Sequence, residues 1–269
     1  MIDFKESDEK KFSEDFKKKK YLILNTDNLI SLNYLRDRII LSIERACSLD
    51  HKRSDSKEDF LNNFHKKIKK SQLNNFRLKI IQLINKDQNF KKNYFLTAKK
   101  ALYTIVGNEL SMQTRINLSI QTPKDSSSLL PVHSDVWSGD SPFEVVVWIP
   151  LVDCYNSKAM YILPPTEYKK IEKNFSKYSG NSSYDFFNKI KKKLKWIKIN
   201  YGQILIFNQA LPHGNVVNEE KETRWSMNCR FKSIFSPYGD KKIGEFFEPI
   251  TLRPASKIGM NYKLPNIDN

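Results

Sequence analysis

The chain has 269 residues, of which 39% are hydrophobic and 12% aromatic, so it has enough apolar side chains for a buried core. It contains no run of 18 apolar residues and its first twenty residues are charged throughout, so we expect neither a membrane-spanning helix nor a secretory signal. The net charge is +16, but only nine of the 46 basic residues are arginine and the lysines are spread along the chain, so a nucleic-acid partner is not expected.

The three cysteines are Cys47, Cys154 and Cys229. An odd number of widely spaced cysteines argues against a disulfide framework and against a zinc module. Free thiols are typical of a reducing compartment. We therefore expect a cytoplasmic protein.

Between residues 27 and 106, apolar side chains recur every three or four residues, which is the spacing of amphipathic helices. Such stripes are typical of helices that pack on a core. The sequence thus predicts an N-terminal helical region over residues 1–107, ending at Gly107. The four stripes are Leu29, Leu32, Leu35, Ile39 and Ile43; Phe60, Phe64 and Ile68; Leu73, Phe76, Ile80 and Ile84; and Phe90, Tyr94, Ala98, Leu102 and Ile105.

From residue 110 the pattern changes to short strands separated by turns. Residues 112–120 alternate between apolar and polar side chains, which predicts one strand with Gln113, Arg115 and Asn117 on its polar face. This row either lines a substrate pocket or faces water. The polar loop that follows, residues 122–128, is a candidate to close over a pocket.

A His-x-Asp pair stands at His133 and Asp135. Side chains alternate along an extended strand, so both would project from the same face. An imidazole and a carboxylate held side by side are two of the three ligands of a 2-His-1-carboxylate metal site. On its own, such a pair is more often a polar strand end.

A second histidine, His213, follows a predicted buried strand at residues 202–207 and a turn at residues 209–212. Arg224 and Ser226 stand 11 and 13 residues after it and share one face of the next strand. The pattern His-x-Asp … His-x10-Arg-x-Ser resembles the signature of the 2-oxoglutarate-dependent Fe(II) dioxygenases. The alternative for Arg224 is an ordinary arginine on a solvated edge strand.

This resemblance implies Fe(II), 2-oxoglutarate and O2, with His133, Asp135 and His213 as metal ligands and catalytic residues. Three protein ligands leave three positions on an octahedral iron, two for the 2-oxo acid and one for O2. Arg224 would bind the distal carboxylate of 2-oxoglutarate through two parallel N–H donors. Ser226 would add a third hydrogen bond.

A narrower resemblance rests on Gln113-x-Arg115-x-Asn117, on the His-Ser-Asp sequence at residues 133–135, and on residues 144–153 and 245–254. Over residues 105–260 the chain is similar to the 2-oxoglutarate oxygenases of sporadic carbohydrate-biosynthesis clusters. These belong with the streptomycin-biosynthesis-type and phytanoyl-CoA-dioxygenase-like oxygenases. The resemblance implies oxidation of a small-molecule substrate, such as a sugar or nucleotide sugar. Related halogenases replace the carboxylate ligand with a small residue, so Asp135 favours hydroxylation.

We expect the substrate pocket between the polar face of residues 113–117 and Trp137, which would share a strand face with Asp135. An aromatic ring beside polar groups is a common way to hold a sugar. Arg230 lies on the face of Arg224 but about 20 Å farther along the strand, so we assign it to the substrate as well. The alternative is that Trp137 packs the mouth of the barrel and the polar row faces water.

The predicted fold class is α+β, with a double-stranded β-helix of the jelly-roll or cupin type and helices on one side. Residues 108–269 would form this oxygenase core with an irregular C-terminal tail, integrated with the N-terminal helical region into one domain. Its further strands are predicted at residues 161–163, 196–199, 203–207, 214–217 and 224–235, with an inserted helix at residues 184–194.

Two functions stay open from the sequence. The first is an oxygenase that hydroxylates a small polar, carbohydrate-related substrate and releases succinate and CO2. The second is a non-catalytic cupin-like protein that binds an anionic glycan or nucleic acid through its lysines. Retention of the three metal ligands together with Arg224 favours the enzyme. The sequence leaves the oligomeric state and the position oxidised open.

Overall fold

A computed structural model describes residues 4, 6–47, 56–178 and 182–264 of the chain. It combines α-helices with antiparallel β-sheet, in agreement with the α+β prediction. None of the described helices is long and apolar enough to cross a membrane.

Most of the helices precede the main strands, where the apolar stripes predicted them. Leu32 and Leu35, in the first stripe, are fully buried. Ser56 and Asp87 each cap a helix, because their side chains accept hydrogen bonds from backbone N–H groups of the first turn. The described α-helices are α1 (Ser7–Lys19), α2 (Leu29–Cys47), α3 (Lys57–Asn62), α4 (Leu73–Asn85), α5 (Gln88–Leu96), α6 (Lys99–Ile105), α7 (Pro165–Glu172), α8 (Ser183–Ile190) and α9 (Pro254–Met260).

The strands form two antiparallel sheets. The larger sheet has the order β1-β7-β4-β9-β2-β10, and β3 pairs with β9 beside β2. The smaller sheet has the order β6-β5-β8. The strands are β1 (Tyr21–Asn25), β2 (Leu110–Gln113), β3 (Asn117–Gln121), β4 (Val145–Pro150), β5 (Tyr161–Ile162), β6 (Lys195–Trp196), β7 (Gln203–Asn208), β8 (His213–Gly214), β9 (Arg224–Ser233) and β10 (Phe247–Pro249).

One hydrophobic core joins the N-terminal helices to the larger sheet. Tyr94 Oη on α5 donates to the Val147 carbonyl of β4 at 2.7 Å, and Trp225 Nε1 on β9 donates to the Leu61 carbonyl of α3 at 2.9 Å. Strand β1, which the sequence patterns did not predict, pairs with β7 at the edge of the same sheet. A boundary at residue 107 thus cuts a shared core, and the integration of both regions into one domain stays a prediction.

The single strand expected over residues 112–120 is interrupted. β2 ends at Gln113 and β3 begins at Asn117, and both pair with β9. The Asn85 side chain of α4 occupies the gap, accepting from Ile116 N at 2.7 Å and donating to Ile116 O at 3.0 Å. These bonds replace the hydrogen bonds that a continuous strand would make to its neighbour. The apolar and polar side chains of β2 and β3 therefore do not form one continuous alternating row.

Two other segments differ from the expected pattern. The segment Asp135–Ser138 forms a 3-10 turn, so the strand that begins at His133 does not continue to Trp137. The C-terminal tail contains β10, which pairs with β2, and the short helix α9, so it is more regular than its prolines suggested.

Candidate metal centre

A narrow antiparallel bridge holds the predicted metal ligands together. His133 N donates to His213 O at 3.0 Å, and His213 N donates to His133 O at 2.8 Å. Ser134 is extended, so the next side chain, that of Asp135, returns to the face of His133. Asp135 N in turn donates to Gln209 O at 3.2 Å, which ties it to the turn before His213.

Both imidazole rings are oriented by backbone carbonyls. His133 Nδ1 lies 2.8 Å from the Pro131 carbonyl, and His213 Nδ1 lies 2.8 Å from the Leu211 carbonyl. A carbonyl can only accept, so each Nδ1 carries the proton and each Nε2 is left as a lone-pair donor. One ligand atom from each of His133, Asp135 and His213 lies within 4.8 Å of the other two, a group that could hold a metal ion.

Burial keeps His213 in the neutral form that a metal requires. Desolvation by burial, followed by the nearby His133, lowers the pKa of His213 to about 4. His213 is therefore neutral at physiological pH without needing to lose a proton to a bound metal.

Arg230 lies directly against the third ligand. Its Nη2 is 2.9 Å from Asp135 Oδ1, and its Nε donates to Gln209 Oε1 at 3.0 Å. Gln209 is held by Glu144 Oε2, at 2.8 Å from its Nε2. Burial, with Asp140 close by, raises the pKa of the enclosed Glu144 carboxyl. The sequence assigned Arg230 to the substrate; the structure places it beside the candidate metal ligand and in the lining of the adjacent cavity, so its substrate role stays a prediction.

A cavity of about 420 Å³ connects the His-Asp-His group with Arg224. Arg224 is 2% exposed, and burial lowers its guanidinium pKa. Its Nη2 donates to Ser119 Oγ at 2.9 Å, but its Nε and Nη1 are buried without a hydrogen-bond partner among the described residues, as is Ser226 Oγ. A buried cation with unpaired donors is costly unless an anion completes it. The part of the cavity next to Arg224 is therefore suited to a carboxylate.

The residues predicted to bind the substrate are dispersed. Asn117 lines the cavity, with its Nδ2 donating to Asn228 Oδ1 at 3.0 Å. Gln113 is buried behind Arg230, where its Oε1 accepts from Arg230 N at 3.3 Å. Arg115 is exposed in the turn between β2 and β3 and does not line the cavity, because the strand is broken there.

Trp137 also lies outside the cavity lining. The 3-10 turn after Asp135 directs its ring toward Phe175, with ring centroids 5.1 Å apart, and its Nε1 donates to Tyr168 Oη at 3.3 Å. It belongs to an aromatic cluster with Phe186. The prediction of a shared strand face with Asp135 required a strand that the structure does not contain.

Arg77 of α4 lines the cavity but was not singled out by the sequence patterns. Its Nη2 donates to the Ile120 carbonyl at 2.8 Å and to Ser127 Oγ at 3.1 Å, and it also contacts Ser128 Oγ and Asp125. The guanidinium therefore joins β3 to the loop over residues 122–128. It lies on a helix with an ordinary apolar stripe, so no local motif signals its position.

No protein-family model and no curated protein sequence matches this chain. Among solved structures, it is similar to the nickel complex of the non-heme monooxygenase ThoJ, with a TM-score of 0.57 and 12% sequence identity, over 91% of this chain and 85% of ThoJ. The apo structure of ThoJ gives a TM-score of 0.54 at 12% identity, over 84% and 79% of the two chains. The chain therefore shares its fold with a non-heme monooxygenase.

Proposed function

We propose that this protein is an Fe(II)- and 2-oxoglutarate-dependent oxygenase. The observation that carries the proposal is a cavity whose wall contains both a His-Asp-His group and a buried, incompletely paired arginine. A 2-oxo acid requires both: a metal for its oxo-acid end and a cation for its distal carboxylate.

The donor set fits the proposed metal. His133 and His213 present Nε2 lone pairs, and Asp135 presents a carboxylate, which is the 2-His-1-carboxylate set of non-heme Fe(II) oxygenases. Bound Fe(II) and 2-oxoglutarate would supply the redox chemistry that reduces O2. ThoJ, which shares the fold, is a non-heme monooxygenase whose structure holds nickel.

Arg224 and Ser226 fit the distal carboxylate of 2-oxoglutarate. The unpartnered Nε and Nη1 of Arg224 offer two donors, and the unpartnered Ser226 Oγ offers a third. Because Arg224 is buried, its attraction for a carboxylate is screened little by water. These residues would orient the co-substrate with its oxo-acid end toward the metal.

For the substrate, we propose a small polar molecule of the carbohydrate class, such as a sugar or nucleotide sugar. The cavity is lined by the amide side chains of Asn117, Asn215 and Asn228, which can donate hydrogen bonds to hydroxyl groups and accept hydrogen bonds from them. A volume of about 420 Å³ suits a co-substrate and a small substrate. The narrower sequence resemblance to carbohydrate-cluster oxygenases supports this class. One C–H bond would become C–OH, while 2-oxoglutarate and O2 give succinate, CO2 and the inserted oxygen.

We further propose that the two sheets form a double-stranded β-helix. The bridge between His133 and His213 and the pairing of β8 with β5 support this arrangement, because they join both histidine segments to a second sheet that is separate from the larger one. We also propose a cytoplasmic location, since Cys47, Cys154 and Cys229 are all free thiols.

The test is anaerobic titration of the metal-free protein with Fe(II), followed by 2-oxoglutarate. We expect binding of one Fe(II) and then one 2-oxoglutarate, with the weak visible charge-transfer band that a chelated 2-oxo acid gives with Fe(II). Air should then produce succinate, and screening sugars and nucleotide sugars for faster succinate release should identify the substrate class. A protein that binds neither Fe(II) nor 2-oxoglutarate, but retains an anionic glycan or nucleic acid, would instead be the non-catalytic binder.

A further inference from the structure

Arg230 forms a hydrogen bond with one of the two carboxylate oxygens of Asp135. Arg230 Nη2 donates to Oδ1 at 2.9 Å, and His133 Nε2 lies 3.8 Å from the same oxygen. Among the described residues, none donates a hydrogen bond to Asp135 Oδ2. The carboxylate is thus bound by a cation on one side and has its second oxygen free.

Arg230 is itself held in place from two sides. Gln209 Oε1 accepts from its Nε at 3.0 Å, and Gln113 Oε1 accepts from its Nη1 at 3.5 Å. Gln209 is fixed in turn by Ser141 O and Glu144 Oε2, each 2.8 Å from its Nε2. An arginine restrained in this way keeps its fork in one orientation and loses little further freedom when it binds a carboxylate.

A second acidic residue does not account for the position of Arg230. Asp140 is 2% exposed at its side chain and lies 3.5 Å from Arg230 Nη2, but it also forms an ion pair with Lys241. Lys241 can therefore neutralise Asp140. The shorter contact of Arg230 is with Asp135, and this contact is not explained by the charge of Asp140.

We infer that Arg230 is a positioning residue that restricts Asp135 to one metal-binding oxygen. The inference rests on the proposed function. A carboxylate with both oxygens free can chelate a metal through both, which would add a fourth protein donor atom. An oxygen that accepts a charge-assisted hydrogen bond has less electron density to give a metal. By occupying one oxygen, Arg230 leaves three coordination positions open for the 2-oxo acid and O2.

Loss of Arg230 should therefore change the affinities for the metal and for the 2-oxo acid in opposite directions. The metal should bind more tightly, because a neighbouring cation is removed and a second carboxylate oxygen becomes available. The 2-oxo acid should bind more weakly, because it has to displace that oxygen. Removal of a side chain that merely supported the local structure would weaken the binding of both the metal and the 2-oxo acid.

The experiment uses Co(II), whose visible spectrum reports coordination number, in the metal-free full-length protein. For Arg230→Met we expect Co(II) affinity above that of the unchanged protein and an altered Co(II) spectrum before any 2-oxoglutarate is added. The affinity of the Co(II) protein for 2-oxoglutarate should fall by about tenfold or more. Arg253→Met is the matched control, because Arg253 is exposed, lies over the Tyr103 ring and does not line the cavity, and both affinities should be unchanged.

Arg230→Lys separates positioning from charge. A lysine keeps the charge but has a single ammonium in place of the fork that reaches both Asp135 and Gln209. Weaker 2-oxoglutarate binding in Arg230→Lys supports the inference. Binding equal to that of the unchanged protein overturns it. This comparison remains decisive if Arg230→Met does not fold. A fall in both affinities for Arg230→Met likewise overturns it. If the unchanged protein binds neither Co(II) nor 2-oxoglutarate, the proposed function itself fails.

Discussion

At the scale of single residues, the most informative side chain is Arg224. Most buried polar groups in folded proteins are hydrogen-bonded, yet two of its guanidinium nitrogens and the neighbouring Ser226 hydroxyl have no partner among the described residues. In the same part of the chain, the guanidinium donates one hydrogen bond, to Ser119 Oγ. A ligand that supplies two carboxylate oxygens would satisfy the remaining donors.

The substitution Arg224→Lys should weaken 2-oxoglutarate binding. It keeps the positive charge but removes the two parallel donors, at a cost of about 1–3 kcal/mol, or roughly 5- to 150-fold in the dissociation constant. Isothermal titration of 2-oxoglutarate into the metal-loaded protein would measure this change, with Arg253→Lys as the control. An unaltered dissociation constant in the Arg224→Lys protein would remove Arg224 from the proposed binding site.

His213 gives the metal-free protein a pH-dependent stability. Its folded-state pKa is about 4, below the ordinary value of 6.5, so between these values the unfolded chain binds more protons than the folded one. The contribution is fully present above pH 6.5, decreases as the pH falls toward 4, and changes no further below that. Its size is about 3 kcal/mol. Urea unfolding from pH 7 to pH 4 should therefore show a smaller loss of stability in His213→Gln than in the unchanged protein; equal losses would contradict this assignment.

The sequence was sufficient to bring the three candidate ligands together, but not to predict the residues around them. Alternation across one extended residue, Ser134, is a local property, and it correctly brings Asp135 to the face of His133. The pairing of Arg230 with Asp135 depends on how β9 lies against a turn that is 95 residues earlier in the chain. The expectation that Trp137 shares a strand face with Asp135 is wrong for a local reason, since the backbone turns immediately after Asp135.

At the scale of elements, the break between β2 and β3 shows what periodicity cannot detect. The alternation of apolar and polar residues continues in the sequence through residues 114–116, where the backbone leaves the ladder. The cause is the Asn85 side chain on α4, which satisfies both backbone groups of the fully buried Ile116. A side chain that is distant in sequence thus decides where a strand ends.

Asn85→Leu should lower the free energy of unfolding by about 1–3 kcal/mol, because it leaves the N–H and the carbonyl of Ile116 buried and unpaired. The matched control is Asn93→Leu, since the side chain of Asn93 donates a solvent-exposed hydrogen bond to Asn89 O within its own helix. Equilibrium urea denaturation followed by circular dichroism compares the two. Equal effects for both variants would show that the break does not depend on Asn85.

At the scale of the whole molecule, the helices and the larger sheet share one core. Trp225 of β9 packs against Phe64 and Phe76 of the N-terminal region, with ring centroids 5.1 Å and 6.4 Å apart. Residues of the helical region and of the sheet are buried together. Neither part would retain its apolar interior alone.

We therefore expect one cooperative unfolding transition. Tryptophan fluorescence reports mainly on the sheet and loops, because Trp137, Trp148, Trp196 and Trp225 all lie beyond residue 107, while circular dichroism reports mainly on the helices. The two transitions should coincide in urea. A fragment of residues 108–269 should fail to fold, since its face toward the helices would be exposed. Separate transitions, or a folded fragment, would show two independent units.

Arg77 connects the two parts of the molecule in a further way. Every proposed iron and co-substrate ligand lies within residues 133–226, whereas Arg77, on a helix that carries no signature, lines the same cavity. Under the proposed function, the reaction and the choice of substrate can therefore diverge at different rates during evolution. A chimaera that joins the sheets of this chain to the helical layer of a relative would then inherit its chemistry from one parent and part of its selectivity from the other.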